Sequence, residues 1–234
     1  MFFHDLRTNL GRKIRLAGLA GAIAFLASAC GAHTQSGSHL MTADAIAAPH
    51  GLISMCEDRP EFCGGDVEAE IVEAEPALIE PSTGGSGEMI DHASLMAIAE
   101  AINTEVNTAL TYRTDQENWG RDEAWLLPLS DDLSTYGDCE DFALEKRQRL
   151  IAEGVDQDQL ALATGWSRAT GYHAMLILRT ERGDFVLDNA TRHVRAVNDT
   201  PYIWDRIQFG SNLLAWNRIE GYGRTIAQPI ATAG

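Results

Sequence analysis

One cysteine of this chain lies in an acidic sequence at the expected start of a helix. Cys139 stands between Asp138 and Glu140, and strand-like runs downstream supply His173 and Asp188. This is the chain order of a Cys-His-Asp triad, in which a thiolate attacks, an imidazole transfers the proton and a carboxylate orients the imidazole. A helix N-terminus suits the first role, because the helix dipole and a neighbouring imidazolium favour the thiolate.

Each member of this set also has a simpler interpretation. A cysteine is often a core residue, His173 could be a hydrogen-bonded core histidine, and Asp188 could cap a turn. The acidic neighbours of Cys139 argue against burial. The shared order of the three residues favours the catalytic interpretation, whereas His92 and His193 have no supporting motif.

The surrounding sequence predicts an α+β domain. Apolar residues recur at helical spacing over residues 92–110, and a second helix is expected from Cys139 to about residue 153, stopping at Gly154. Between the helices lies a polar loop that holds Trp119 and Trp125. Strand signals then cover residues 160–166, 173–180 and 184–189, which predicts an antiparallel sheet. We expect residues 202–224 to pack back on this domain.

The N-terminal residues 1–29 have the pattern of a secretory signal. A basic start is followed by an apolar stretch at 16–26 and then by Ala-Ser-Ala. The stretch is shorter than the ~20 apolar residues of a membrane span, so cleavage and export from the cytoplasm are expected, with an uncleaved anchor as the alternative. Cys30 would permit a lipoprotein, but Leu26 lies one place further from it than such signals prefer. A soluble exported product is therefore the favoured interpretation.

The net charge of the chain restricts the classes of partner that it can bind. The chain has a formal net charge of −16, and loss of the basic signal would make the product more acidic. Phosphate backbones would repel such a surface, so nucleic acid is an unfavourable partner. Divalent cations and basic partners are compatible, although most of these charges need only keep an exported protein soluble.

A second cysteine pair and an acidic segment precede the predicted domain. Cys56 and Cys63 enclose a short loop that could close as a disulfide in an oxidising compartment. Pairing with Cys30 is an alternative, whereas a zinc site lacks a second ligand pair. Residues 64–89 are acidic and turn-rich, which predicts a disordered tether. The predicted organisation is a signal at 1–29, a cysteine loop and acidic linker at 30–90, and a catalytic domain at 91–234.

Taken together, the motifs resemble the bacterial transglutaminase-like cysteine proteinases. The resemblance extends over about residues 91–216, departs at Phe142, where a tyrosine is usual, and is carried by four segments: 124–128, 137–143, 172–176 and 185–189. It implies a papain-like, transglutaminase-like core with N-terminal helices packed on an antiparallel β-sheet. It also implies that Cys139 is the nucleophile, His173 the base and Asp188 the group that orients the imidazole. The backbone N–H of Cys139 would serve the oxyanion, with Trp119 or Trp125 as candidates for a second donor.

The carboxylates beside the cysteine suggest a metal. Asp138 and Glu140 would disfavour a thiolate between them by like-charge repulsion. A Ca²⁺ ion would cancel that charge, and the resemblance implies calcium dependence through these two positions. Asp141 and Asp115 are additional candidate ligands. The alternative is that the acids only cap the helix and interact with its dipole.

The resemblance further implies a biological role. A periplasmic protease of this kind cleaves the N-terminal region of a large surface adhesin in biofilm control, and an inner-membrane receptor for cyclic di-GMP withholds it from that substrate. Two alternatives stay open. The same triad could transfer the acyl group to an amine, as in a transglutaminase or amidase, or the chain could be a noncatalytic exported binding module.

Overall fold

A computed structural model describes residues 38–63 and 90–220. The predicted signal, the predicted tether and residues 221–234 lie outside the described residues. The main sheet is antiparallel and has seven strands in the order β1-β9-β8-β4-β5-β6-β7. These strands are β1 (Thr42–Ile46), β4 (Leu160–Ser167), β5 (Gly171–Thr180), β6 (Gly183–Leu187), β7 (Arg195–Ala196), β8 (Ile203–Gln208) and β9 (Trp216–Ile219). Two short strands outside this sheet, β2 (Thr111–Tyr112) and β3 (Tyr136–Gly137), pair with each other in parallel.

Four α-helices accompany the sheet in the described residues: α1 (His50–Asp58), α2 (His92–Ala109), α3 (Asp115–Trp119) and α4 (Cys139–Ala152), with 3₁₀ turns at Pro60–Phe62, Gln157–Gln159 and Val197–Asp199. The two helices expected from the sequence are confirmed. The Asp91 carboxylate starts α2 by accepting hydrogen bonds from the backbone N–H groups of Ala93 and Ser94, at 3.0 and 3.2 Å. Beyond the end of α4, Gly154 has a φ of +86°, a left-handed conformation that glycine adopts at low cost after a helix.

The central strands of the sheet are buried on both faces, because apolar residues occupy successive positions along them. On β4 and β5, Leu160 and Leu176 belong to the core shared with α1, α2 and α4, whereas Ala161 and Ile177 belong to a second core on the opposite face. This alternation follows from the two-residue period of a strand. The predicted α+β class with an antiparallel sheet is confirmed.

The segment before residue 64 is part of the same fold. Strand β1 pairs with β9, which places Thr42 opposite Ile219. Leu52 of α1 is fully buried, and Cys56 forms a disulfide with Cys63, with 5.7 Å between the Cα atoms. The fold therefore extends upstream of the domain start predicted at residue 91. The sequence analysis assigned residues 30–90 to a cysteine loop and linker and so placed no strand or helix in this segment.

The strand that leads to Asp188 is shorter than expected. The sequence predicted a strand over residues 184–189, but β6 ends at Leu187. Asp188 begins a turn in which its own carboxylate accepts a hydrogen bond from the Ala190 N–H, at 2.8 Å. This local bond competes with continuation of the strand. None of the helices in the described ranges has the length and apolar character needed to cross a bilayer.

Candidate active site

Cys139 is the first residue of α4 and is half-buried. Its thiol donates a hydrogen bond to Glu140 Oε2, at 3.1 Å, and its Sγ accepts one from the Ala174 N–H on β5, at 3.4 Å. Desolvation and the neighbouring Glu140 charge raise the pKa of the thiol well above its ordinary value. With these groups alone around it, the sulfur is a neutral thiol, which is the electrostatic problem expected from the sequence.

His173 and Asp188 are in direct contact beside this cysteine. The Nε2 atom of His173 lies 2.8 Å from Asp188 Oδ1, and both side chains are buried. Burial alone would raise the pKa of Asp188, but hydrogen bonds from His173, Tyr202 and the Ala190 N–H hold it below its ordinary value. Asp188 is therefore a carboxylate, and its bond to Nε2 leaves Nδ1 as the ring nitrogen that can exchange a proton with another group.

Cys139 and His173 line one cavity of about 220 Å³. Tyr172 also lines it and is a large exposed hydrophobic residue, with 69% of its surface accessible. The remaining lining residues are Pro49, Glu123, Trp125, Glu140, Thr164 and Ala174. The cavity brings the predicted nucleophile and the predicted base to one opening that is accessible from solvent.

Three carboxylates cluster next to the cysteine. Asp115, Asp138 and Glu140 each place one oxygen within 4.8 Å of the others. The parallel pairing of β2 with β3 brings Asp115 to this position, and its N–H donates to Asp138 Oδ2, at 3.3 Å. Burial and mutual repulsion raise the pKa of Asp115 to about 6 and that of Asp138 to about 8, and burial also raises the pKa of Glu140.

This cluster fits a hard divalent cation. The Oδ1 atoms of Asp115 and Asp138 are buried and have no hydrogen-bond partner among the described residues. Orphaned carboxylate oxygens are costly in a protein interior, and Ca²⁺ takes its ligands from such oxygens. Of the two additional ligands considered from the sequence, Asp115 belongs to the cluster and Asp141 does not.

Asp141 and Glu145 instead anchor the loop that precedes the cysteine. Asp141 Oδ1 accepts a hydrogen bond from the Leu126 N–H, at 2.8 Å. Glu145, one turn further along α4, accepts bonds from the N–H groups of Leu129 and Ser130, both at 2.8 Å, and from the Ser130 hydroxyl. Because residues four apart share a helix face, one side of α4 fixes the loop whose Trp125 lines the cavity.

The two tryptophans considered as oxyanion donors occupy different positions. Trp125 lines the cavity, but its indole N–H donates to Glu123 Oε1, at 3.0 Å. The indole N–H of Trp119 is buried without a partner among the described residues, and Trp119 is not a lining residue. His92 packs against the Phe185 ring, with 5.9 Å between centroids, and His193 is exposed. Neither histidine lines the cavity.

The sequence analysis missed two residues near the site. Tyr202 donates its hydroxyl hydrogen to Asp188 Oδ2, at 2.7 Å, and its ring stacks on His173. Lys146, two turns after Cys139 on α4, is fully buried and has no hydrogen-bond partner among the described residues. Neither residue lies in a motif. The unexpected position of a lysine in an otherwise apolar helix stripe was the one available signal.

Comparison with known proteins gives one family. The sequence model for bacterial transglutaminase-like cysteine proteinases matches residues 42–224. Among solved structures, calcium-bound LapG of Legionella pneumophila is 27% identical with a TM-score of 0.41, over 47% of this chain and 63% of that chain. EGTA-treated LapG is 26% identical with a TM-score of 0.42, over 48% and 62%. Both matches span less than two thirds of the Legionella chain. No curated protein matches this chain.

Proposed function

Because this chain belongs to the family of bacterial transglutaminase-like cysteine proteinases, we propose that it is a cysteine endopeptidase that acts through Cys139, His173 and Asp188. The observation that carries the proposal is the shared cavity of Cys139 and His173, together with the 2.8 Å contact of His173 with Asp188. A nucleophile, a base and a group that orients the base are the parts that acyl transfer needs.

The proposed reaction has two steps. His173 takes the proton of the Cys139 thiol, and the sulfur attacks the carbonyl carbon of the scissile peptide. The C–N bond then breaks, the leaving amine takes the proton from His173, and a thioester remains on Cys139. In the second step His173 takes a proton from water, the hydroxide displaces the sulfur, and the thiol is restored. Asp188 holds the ring through Nε2 during both steps.

We assign the remaining feature of the proposed reaction to the start of α4. Because the first N–H groups of a helix have no partner within the helix, the Cys139 N–H is our proposed donor to the oxyanion that forms when the sulfur attacks. A donor of this kind contributes on the order of 10²-fold or more to the rate in other hydrolases.

Asp138 and Glu140, with Asp115, are the proposed Ca²⁺ ligands. The orphaned oxygens of this cluster support the assignment. A bound calcium ion would supply positive charge that offsets these carboxylates and would order the loop before α4. Glu140 is also the acceptor for the Cys139 thiol, so the ligand set and the nucleophile share one side chain.

The proposed substrate is a protein, specifically the N-terminal region of a large surface adhesin whose cleavage controls biofilm attachment. We place the protein in the periplasm and propose an inner-membrane cyclic di-GMP receptor as its regulatory partner. These assignments rest on the resemblance of the sequence motifs. The cavity lined by Cys139 and His173 is open to solvent, so a peptide can reach the nucleophile from outside.

The first test is the rate at which iodoacetamide alkylates Cys139, followed by mass spectrometry of the labelled peptide. Alkylation needs no substrate and responds to the state of the thiol. We expect His173→Ala to slow it on the order of 100-fold, within the range typical of a general base. His193→Ala, a change at an exposed histidine, is the matched control. Equal rates in the parent and in His173→Ala would refute the proposed pairing.

The same assay tests the metal. Excess EGTA should slow alkylation, and Asp138→Asn should abolish the response to added Ca²⁺, whereas the exposed-site variant Asp122→Asn should retain it. Calcium binding is measured separately by isothermal titration calorimetry, so that a loss of binding is seen independently of reactivity. An unchanged rate in EGTA would remove calcium from the proposal and leave the triad in place.

A second test separates the candidate activities. Recombinant N-terminal fragments of large surface adhesins are incubated with the protein and with Cys139→Ala, in the presence of a labelled primary amine. Cleavage that depends on Cys139 supports the endopeptidase, and incorporation of the amine would indicate a transglutaminase or amidase instead. Fragment binding that is equal in both proteins, without either product, would indicate a noncatalytic binding module.

A further inference from the structure

The Asp188 carboxylate is held from more directions than the predicted triad requires. Its Oδ1 atom accepts hydrogen bonds from His173 Nε2 and from the Ala190 N–H, both at 2.8 Å. Its Oδ2 atom accepts the hydroxyl hydrogen of Tyr202, at 2.7 Å. Tyr202 is buried, with 8% of its surface accessible. A phenol that is withdrawn from solvent therefore holds the second oxygen of the carboxylate.

The same tyrosine also contacts the imidazole. The rings of Tyr202 and His173 are stacked, with 5.7 Å between centroids and 14° between planes. One side chain thus touches both members of the His173–Asp188 pair, through its hydroxyl on one and through its ring on the other. The Tyr202 ring also packs against Trp204, at 5.6 Å between centroids and 54° between planes.

We propose that Tyr202 is a positioning residue, which keeps Asp188 and the imidazole of His173 in the orientation that presents Nδ1 to the nucleophile. This inference rests on the proposed triad. The hydroxyl prevents rotation of the Asp188 carboxylate, because turning it would break a hydrogen bond to a charged group, one of the stronger kinds in proteins. The stacked ring limits the tilt of the imidazole, so that a proton on Nε2 stays directed at Asp188.

The hydroxyl also affects the charge of the pair. Two titratable groups, His173 and Tyr202, hydrogen-bond to Asp188, and the charge of Lys146 on α4 interacts with it without a hydrogen bond. The hydrogen bond that Tyr202 donates disperses part of the negative charge of Asp188. Burial raises the pKa of Asp188, but this bond and the bond from His173 lower it, so the group stays a carboxylate that can orient the imidazole.

Tyr202→Phe isolates the hydroxyl, because it retains the ring that stacks on His173. The first measurement is the ¹⁵N-resolved NMR signal of the His173 Nε2–H proton, which a firm bond to Asp188 protects from exchange with water. The second is the iodoacetamide rate at Cys139 at a single pH. Trp204→Phe is the matched control, since it changes a buried aromatic residue that contacts Tyr202 but not Asp188.

We expect Tyr202→Phe to lose the protected Nε2–H signal and to alkylate about tenfold more slowly, as for loss of one hydrogen bond to a charged group. Trp204→Phe should keep the signal and should stay within about twofold of the parent rate. A folded Tyr202→Phe protein with the parental signal and rate would overturn the proposal, because the hydroxyl would then have only a packing role.

Two further outcomes are informative. If Tyr202→Phe does not fold, the parent spectrum still decides, because the proposal requires a protected Tyr202 hydroxyl proton near the His173 ring, and its absence would refute the inference. If His173→Ala leaves the alkylation rate unchanged, the proposed triad fails. The NMR measurement would still report whether Tyr202 fixes the imidazole, so the two failures can be told apart.

Discussion

Replacement of Lys146 by methionine should stabilise the protein and should change how its stability depends on pH. Lys146 is fully buried in α4, and its Nζ atom has no hydrogen-bond partner among the described residues. Its surroundings offer a distant contact with the Phe142 ring, 5.8 Å from Nζ to the centroid, and the charge of Asp188. Burial lowers the pKa of the Lys146 ammonium from 10.5 to about 7, and the attraction of Asp188 offsets only part of this effect.

The magnitude follows from the difference in pKa between the two states. Between pH 7 and 10.5 the unfolded chain binds a proton at Lys146 that the folded protein does not, so the free energy of unfolding rises with pH in this window. Below pH 7 both states are charged, and the full cost of burying the ammonium is present. At 1.36 kcal/mol per pKa unit this cost is about 5 kcal/mol, and it disappears above pH 10.5, where both states are neutral.

The assay is urea denaturation of the parent and of Lys146→Met at pH 6, 7, 8.5 and 10, followed by circular dichroism. Subtracting the two curves cancels every other titrating group. We expect the variant to be more stable by about 4 kcal/mol at pH 7 and the advantage to shrink steadily toward pH 10. Arg149→Met, a partly exposed cation on the same helix that pairs with Glu105, is the control. It should change stability by less than about 1 kcal/mol at every pH.

A direct titration provides the refutation. The chain contains two lysines, Lys13 and Lys146, so isotopic labelling of lysine gives two Nζ signals. The Lys146 signal should titrate near neutral pH. Titration near its ordinary value, or a stability difference that is negative or independent of pH, would show that the ammonium is solvated or paired and that the reasoning is wrong.

Three further predictions concern residues that support the fold around the candidate active site. Gly137→Ala should lower thermal stability and slow alkylation of Cys139, because the new Cβ would lie 2.7 Å from Asp141 Oδ2 and 2.8 Å from Asp141 Cβ. Differential scanning calorimetry measures the stability, and the iodoacetamide assay measures the alkylation rate. Parental values in both assays would contradict this prediction. Glu145→Ala should cost about 3 kcal/mol in urea denaturation, because it removes a buried carboxylate that accepts three hydrogen bonds from the anchored loop. A cost below about 1 kcal/mol would show that water replaces the carboxylate. Replacing Cys56 and Cys63 together by alanine should cost about 2 to 3 kcal/mol, the value for a short closed loop, and the parent under reducing conditions is the control.

Several features could be predicted from the sequence because their signals are local. The apolar spacing that defines α2, the glycine that follows α4 and the continuous apolar run of β5 are all patterns of residues that are close together in the sequence. The disulfide between Cys56 and Cys63 was favoured for the same reason, and the structure contains it. The position of Cys139 at the start of its helix followed from the acidic residues around it.

The features that were missed depend on contacts between distant segments. Tyr202 reaches Asp188 because β8 pairs with β4 and brings residue 202 beside the turn after β6. Asp115 joins Asp138 through the pairing of β2 with β3, two strands too short to give a sequence signal. Lys146 is buried because the helix that carries it packs against both α2 and β5, and helix periodicity alone does not show that a helix is enclosed on several sides.

The pairing of β1 with β9 has a consequence for the order in which the fold can form. Residue 42 meets residue 219, so one edge of the sheet joins the beginning of the fold to its end. A chain is synthesised from its N-terminus, and β1 must therefore wait, unpaired and able to engage other chains, until almost all of the protein exists. Contacts so far apart in sequence are expected to form slowly. An incompletely folded molecule therefore has time to be transported, bound by another protein or degraded before the sheet is complete.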